Sequence, residues 1–143
     1  MPIVRADISN LDQVIALSEM WNDDATPIRA EIIEQYLTSE IVFCAIEDEE
    51  VLGIIILEEN SDGSQHLARL FVHPDYRDGG IGSEMMETVT KLLDETCTKS
   101  FLSLSSTHPA YDFYGRFGYT ETDTFKSPGE DYIPMVREPN LSL

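Results

Sequence analysis

Cations are scarce in this sequence: nine lysines and arginines stand against 27 aspartates and glutamates, for a formal net charge of −18. Lysine occurs only as Lys91, Lys99 and Lys126. Such a chain repels polyanions, which excludes nucleic acid as a partner. The acidity has two physical accounts, a field that steers a cationic substrate or a solubility adaptation suited to high salt. The scatter of the charges along the chain favours the second. Cysteine is equally rare. Cys44 and Cys97 have no disulfide or metal-ligand spacing, so they are expected to act as small hydrophobes in a reducing compartment. Lys99 is the one cation near either thiol in sequence that could activate it. No window reaches the roughly 18 consecutive apolar residues of a membrane span. The start, Met1-Pro2-Ile3-Val4-Arg5-Ala6-Asp7, lacks the basic-then-apolar pattern of a secretory signal. A cytoplasmic protein with no membrane association is expected. Internal repeats, low-complexity linkers and metal-ligand clusters are also missing.

What is present is enough apolar residue to build a core: 42% of 143 residues, the size of one domain. Residues 1–143 are expected to form that single domain. Ile3 to Ala6 suits a strand. Ser9 or Asn10 can cap a helix running to Trp21, with Leu11, Val14, Ile15, Ser18 and Trp21 on one face. Thr26-Pro27 starts a second helix, carrying Ile28, Ile32, Ile33, Tyr36 and Leu37 at helical spacing. Ile41 to Ile46 and Val51 to Leu57 are β-branched runs around the acidic stretch 47–50, which suits a hairpin with a solvated turn rather than a metal site. Gln65 to His73 is a further strand, in the middle of the sheet. From Gly82 onward, Met85, Met86, Val89, Leu92 and Leu93 mark an amphipathic helix. Phe101 to Ser105 is a strand, and Pro109 opens a short helix that Gly118 can end. Tyr119 to Phe125 and Tyr132 to Arg137 close the chain as a strand pair around Ser127-Pro128-Gly129. This order predicts a mixed sheet with helices on both faces.

The chemistry concentrates between Leu70 and Ser83. A strand ends at Val72-His73-Pro74, a glycine-rich turn follows, and a helix starts at once. The free backbone N–H groups of a helix's first turn, reinforced by its dipole, favour phosphate or pyrophosphate. Gly80 and Gly82 let the backbone approach such a ligand without a Cβ in the way. By itself the pattern fits a plain turn equally well. It is not a dinucleotide fingerprint, because the third glycine would fall at Met85, and no Gly-Lys-Ser/Thr follows as a P-loop needs.

The stretch Val72-His73-Pro74-Asp75-Tyr76-Arg77-Asp78-Gly79-Gly80-Ile81-Gly82 resembles the signature of the GNAT superfamily of N-acetyltransferases: Arg or Gln, two residues, Gly, one residue, Gly or Ala. Arg77, Gly80 and Gly82 fill it. A second block, Ala110-Tyr111-Asp112-Phe113-Tyr114-Gly115-Arg116-Phe117-Gly118-Tyr119, is similar to that family's later motif, and both lie on the right elements. The fold so implied is α/β (α+β), a mixed, mostly antiparallel central sheet with helices on both faces in the order β-α-α-β-β-β-α-β-α-β-β. The activity so implied is direct acetyl transfer from acetyl-coenzyme A to a primary amine, with no metal. The backbones of Leu70, Phe71 and Val72 would bond pantetheine and the thioester oxygen. Arg77, Asp78, Gly79, Gly80, Ile81, Gly82 and Ser83 would form the pyrophosphate turn. Arg77 could instead orient the loop or pair with Asp75 or Asp78. Asp78 departs from the family, which often carries a basic or small residue there, and its carboxylate is expected to point outward.

Tyr114 matches the family's tyrosine that protonates the leaving thiolate, or else packs as a core aromatic with Phe113 and Phe117. Where relatives carry a glutamate, this sequence has Ala68. His66, two residues earlier, is the candidate base; Glu58, Glu59 or water alone are alternatives. Thr107 replaces a frequent asparagine and either contacts the coenzyme or caps the helix. Trp21, Tyr36 and Tyr132 could line the acceptor pocket or belong to the core. The acceptor is a small-molecule or peptide amine, and the resemblance admits a homodimer joined through the last strands. The missing glutamate leaves an alternative, a non-catalytic acyl-CoA-binding or sensor module of the same fold.

Overall fold

Runs of β-branched residues form the longest strands, because their stiff side chains pack well on a pleated surface. The computed structural model describes residues 2–20, 29–105, 110–122 and 132–140. Among them the strands are β1 (Ile3–Arg5), β2 (Ile41–Glu47), β3 (Glu50–Glu59), β4 (Gln65–Val72), β5 (Ser100–Ser105), β6 (Thr120–Glu121) and β7 (Tyr132–Arg137). The helices are α1 (Leu11–Ser18), α2 (Ala30–Ser39), α3 (Ile81–Glu95) and α4 (Tyr111–Gly115). The element order is the expected one, and the seven strands make a mixed, mostly antiparallel sheet. No helix among the described residues is long and apolar enough to cross a membrane.

The chain clusters into two compact units, Met1–Glu58 with Ala68–Thr88, and Glu59–Leu67 with Val89–Leu143. In the first, the strand order is β1-β2-β3-β4. Val42, Cys44, Ile54 and Ile56 face Val14 and Leu17 of α1 and Ile33 and Leu37 of α2 in one buried cluster. The opposite face of β3 meets α3: a Cβ added at Gly53 would lie 2.8 Å from Met85 Cε and 3.2 Å from Ile81 Cγ2. Helices therefore cover both faces of this unit, and glycine at 53 is what lets α3 sit so close. Cys44 is fully buried, and burial pushes its thiol up to about 11, so it is core rather than an acyl carrier. Cys97 is exposed.

In the second unit the order is β4-β5-β7-β6. β4 and β5 run parallel and pair at Gln65↔Ser100 and His66↔Phe101, where the ladder ends. β5 and β7 are antiparallel over six pairs, Ser100↔Arg137 to Ser105↔Tyr132.

Several boundaries move. Asn10 is the N-cap of α1, as one of the two expected residues, but the side-chain cap bonds form one turn earlier: the Asp7 side chain accepts from the Ser9 N–H, and Asn10 accepts the Asp7 N–H in a capping box. A 3-10 turn, Ile8–Asn10, then leads into α1, which ends at Ser18. Trp21, Thr26-Pro27, Ile28, Thr107, Pro109 and Ser127-Pro128-Gly129 lie outside the described residues. Of the strand expected from Tyr119 to Phe125, Thr120–Glu121 is seen.

Half of the acidic stretch 47–50 is strand. Glu47 pairs with Glu50, leaving Asp48 and Glu49 as a two-residue turn with φ of 51° and 65°. Both central residues of such a turn need the left-handed region, which favours Asn-Gly and penalises a Cβ by about 1 kcal/mol. Asp48→Asn with Glu49→Gly also removes two like charges. The double variant is expected to gain about 1 kcal/mol, read as a higher urea midpoint; an unchanged midpoint would show that the turn is unstrained.

Candidate functional site

The Arg77–Ser83 turn is anchored by a defect in the sheet. Ala45 pairs with Gly53 and Ile46 with Val51, so Leu52 is the extra residue of a bulge on β3. A bulge leaves a backbone group free. Here the Leu52 carbonyl accepts the His73 N–H at 2.7 Å, pinning the end of β4 where the turn begins. The His73 Nδ1 accepts from the Asp75 N–H at 3.1 Å, and its ring meets Tyr76 edge-on at 5.2 Å. Both contacts hold the 3-10 turn Pro74–Tyr76 in place.

Arg77 then leaves in extended conformation and folds back. Its Nε donates to the Val72 carbonyl at 3.3 Å, and its guanidinium lies 5.4 Å from the centre of the Phe71 ring. Both contacts tie the arginine back to the strand that leads into the turn. Among the described residues, no ion pair joins it to Asp75 or Asp78. Asp78 takes φ 71° and is exposed; Gly80 takes φ 85°. Nothing lies within 4 Å of where a Gly80 Cβ would be, so glycine serves the backbone angle there.

The first intrahelical bond of α3 runs from the Glu84 N–H to the Gly80 carbonyl at 3.0 Å. The N–H groups of Ile81, Gly82 and Ser83 precede it and lack intrahelical acceptors. α3 is 15 residues long, so its dipole is fully developed at this end. Three amide donors over an open glycine turn fit a pyrophosphate. Leu70, Phe71 and Val72 are half-buried on the strand leading in, past the end of the β4–β5 ladder.

Tyr114 belongs to the second unit and is 7% exposed. Its helix is one short turn, ended by Gly118 at φ 97°. The Gly118 N–H bonds the Gly115 carbonyl at 3.1 Å, and the Tyr119 N–H bonds the Tyr114 carbonyl at 3.3 Å. This is the paired C-terminal motif that glycine there was expected to form. Phe113 lies edge-on to Tyr114 at 5.3 Å, and Tyr119 at 6.0 Å. The Tyr119 hydroxyl pairs with Ser100 Oγ at 2.7 Å and is structural. The Tyr114 hydroxyl has no partner among the described residues. Burial, with Tyr119 adding to it, pushes the Tyr114 phenol well above its ordinary value, so it remains a proton donor.

Arg137 holds this block. It is 7% exposed and donates through Nε to the Phe117 carbonyl at 2.7 Å and in two-pronged fashion to Asp94 at 2.9 and 3.2 Å. Asp94 also accepts the Asn140 N–H at 2.7 Å. Sequence spacing gave no sign of this clamp, because Arg137 and Asp94 lie 43 residues apart.

On the helical face of the first unit, the Tyr36 hydroxyl donates to Glu58 Oε1 at 2.9 Å. Burial, then the bond to and charge of Glu58, push that phenol up to about 12. Ala68 and Tyr36 both pack against the same apolar cluster. His66 is half-buried and forms the last pair of the β4–β5 ladder with Phe101. Tyr132 is 55% exposed, so it does not belong to the core. Among the described residues no group of three or more His, Cys, Asp or Glu gathers as a metal site.

Residues 11–139 match the model of the acetyltransferase (GNAT) domain family. The chain belongs to that family and is an acyltransferase. It superposes on the ribosomal-protein-S18-alanine N-acetyltransferase from Escherichia coli with a TM-score of 0.82 at 16% identity, over 99% of this chain and 96% of that one. An aminoglycoside 6'-N-acetyltransferase complexed with coenzyme A gives 0.78 at 21% identity, over 96% and 97%. The paiA N-acetyltransferase from Thermoplasma acidophilum, in complex with coenzyme A, gives 0.71 at 16% identity, over 96% and 99%. No curated protein sequence matches this one.

Proposed function

We propose that this chain transfers the acetyl group of acetyl-coenzyme A directly to a primary amine. The observation that carries this is the Arg77–Ser83 turn, where the amides of Ile81, Gly82 and Ser83 precede the first bond of a long helix and Gly80 opens the approach. Two structures of the same fold were solved with coenzyme A, which supports the same ligand here. In this reading those amides hold the pyrophosphate, and the backbone of Leu70, Phe71 and Val72 takes the pantetheine and the thioester oxygen. A backbone N–H so placed stabilises the oxyanion of the tetrahedral intermediate. Tyr114 gives its proton to the departing sulfur.

Asp78 is the one residue of the turn whose charge opposes the ligand. Its exposure keeps it in high dielectric, which limits the repulsion to about 1 kcal/mol. Asparagine tolerates the left-handed backbone and removes the charge. Asp78→Asn is expected to bind acetyl-coenzyme A about twofold to fivefold more tightly at low salt, with the gain fading at about 1 M salt. Weaker binding in calorimetry would place the carboxylate in the site instead.

The function is tested by calorimetry with acetyl-coenzyme A and by thiol release on a panel of amines: polyamines, amino acids, peptides with free N-termini or lysines, and aminocyclitols. Binding together with release on at least one class is the expected result. Binding with no release on any class would favour the non-catalytic acyl-CoA module.

A further inference from the structure

We propose that Glu58, held by the Tyr36 hydroxyl, receives the ammonium group of the acceptor and takes its proton. This rests on the N-acetyltransferase reading and supplies the group that Ala68 leaves out of it. β3 and β4 are neighbours in the sheet, so a carboxylate on β3 can serve the face on which Ala68 packs. Ile54, Ile56 and Glu58 alternate along β3, which puts all three on one face. The first two lie in the apolar cluster with Ile33 and Leu37 of α2, and Glu58 continues that row to Tyr36 of the same helix.

The pair has the properties such a role needs. The Tyr36 ring is packed against the cluster, so its hydroxyl is a fixed donor. A phenol bonded to a carboxylate fills one of about four acceptor sites and leaves the others open. Oε1 is taken by Tyr36, and among the described residues nothing bonds Oε2. Glu58 is half-buried, so its charge is less screened than those of the many exposed carboxylates. Arg69 and Glu40 are the other charged groups that act on Tyr36, with opposite signs.

The step balances. The acceptor ammonium gives one proton to Glu58, which passes it to solvent. The free amine attacks the thioester carbon, a C–N bond forms and the C–S bond breaks. The second nitrogen proton replaces the one Tyr114 gives to sulfur. The products are the amide, the free thiol of coenzyme A and one proton.

The experiment compares native protein, Glu58→Gln and Tyr36→Phe, using the panel amine that gives the most thiol release. At pH 7 an alkylamine is almost wholly protonated and needs a base; near pH 9.5 much less so. Glu58→Gln is expected to lower kcat/KM about 10²-fold at pH 7, with the deficit shrinking to under about tenfold at pH 9.5 as the amine's own ionisation replaces the base. Tyr36→Phe keeps the ring and is expected to lose roughly threefold to tenfold with the same pH signature, because only a hydrogen bond to the carboxylate is lost. Acetyl-coenzyme A affinity should stay within about twofold in both, since neither side chain belongs to the pyrophosphate turn. A loss equal at the two pH values, or one below about threefold, would make the pair structural and overturn the assignment. So would a pH-dependent loss found with His66→Gln and not with Glu58→Gln. If native protein binds acetyl-coenzyme A yet releases no thiol with any amine, the transferase reading falls first and this one with it.

Discussion

Replacing Arg137 with methionine is expected to destabilise the protein by about 3 kcal/mol and to lower its melting temperature by roughly 10 °C. This buried guanidinium donates three hydrogen bonds, two to Asp94 and one to the Phe117 carbonyl. Methionine fills similar volume but, among the described residues, leaves the Asp94 carboxylate with only the Asn140 N–H. Removing one partner of such a pair costs more than the pair itself contributes, because the other partner stays desolvated. The Asp94 side chain is 29% exposed and can partly rehydrate, which sets the expectation at the low end of the range for buried pairs.

The pH dependence has a definite sign. The bonds from Arg137 hold the Asp94 carboxyl below its ordinary value, so the unfolded chain takes up the proton before the folded one. The stabilisation is complete above the ordinary carboxyl value of 3.8 and is lost as pH falls through the lowered folded value. The difference in urea midpoint between native protein and Arg137→Met should therefore be flat between about pH 5 and 8 and close below about pH 4. A melting shift under about 2 °C at neutral pH would show that the clamp contributes little.

Replacing Tyr114 with phenylalanine is expected to cut kcat about 10²-fold while changing acetyl-coenzyme A affinity by less than about threefold. The acid and core-aromatic readings of Tyr114 predict different results for this variant. A buried tyrosine kept only for packing would either bond its hydroxyl to the protein or be a phenylalanine. Tyr119 does the first, with Ser100. Among the described residues the Tyr114 hydroxyl has no such partner. Tyr114→Phe should melt within about 2 °C of native, since among the described residues no hydrogen bond to its hydroxyl is lost. Tyr119→Phe is the control: it strands the fully buried Ser100 hydroxyl and should lose about 1–2 kcal/mol of stability. Unchanged turnover in Tyr114→Phe would remove the acid role.

The element order, the Arg77–Gly82 turn and the Gly118 stop were legible in the residues because each is a local rule. A glycine at a left-handed position, amides ahead of a helix and an apolar stripe every three or four residues are all set by covalent spacing. The α2 face carrying Ile33 and Leu37 was legible for the same reason.

Partners chosen across the sheet were not legible. Tyr36 finds Glu58 across 22 residues, Arg137 finds Asp94 across 43, and His73 closes on a Leu52 carbonyl freed by a one-residue bulge. A register shift of one residue turns a side chain to the opposite face, and neither composition nor periodicity records that choice. The acidic stretch shows the same limit: four like residues read as one turn, while strand pairing took Glu47 and Glu50 and left only Asp48 and Glu49 to bend. By itself the sequence determined the glycine turn and the helix that starts behind it. The tertiary structure alone decided which carboxylate stands against which phenol, because pairing across strands and helices is a property of register and packing, not of spacing along the chain.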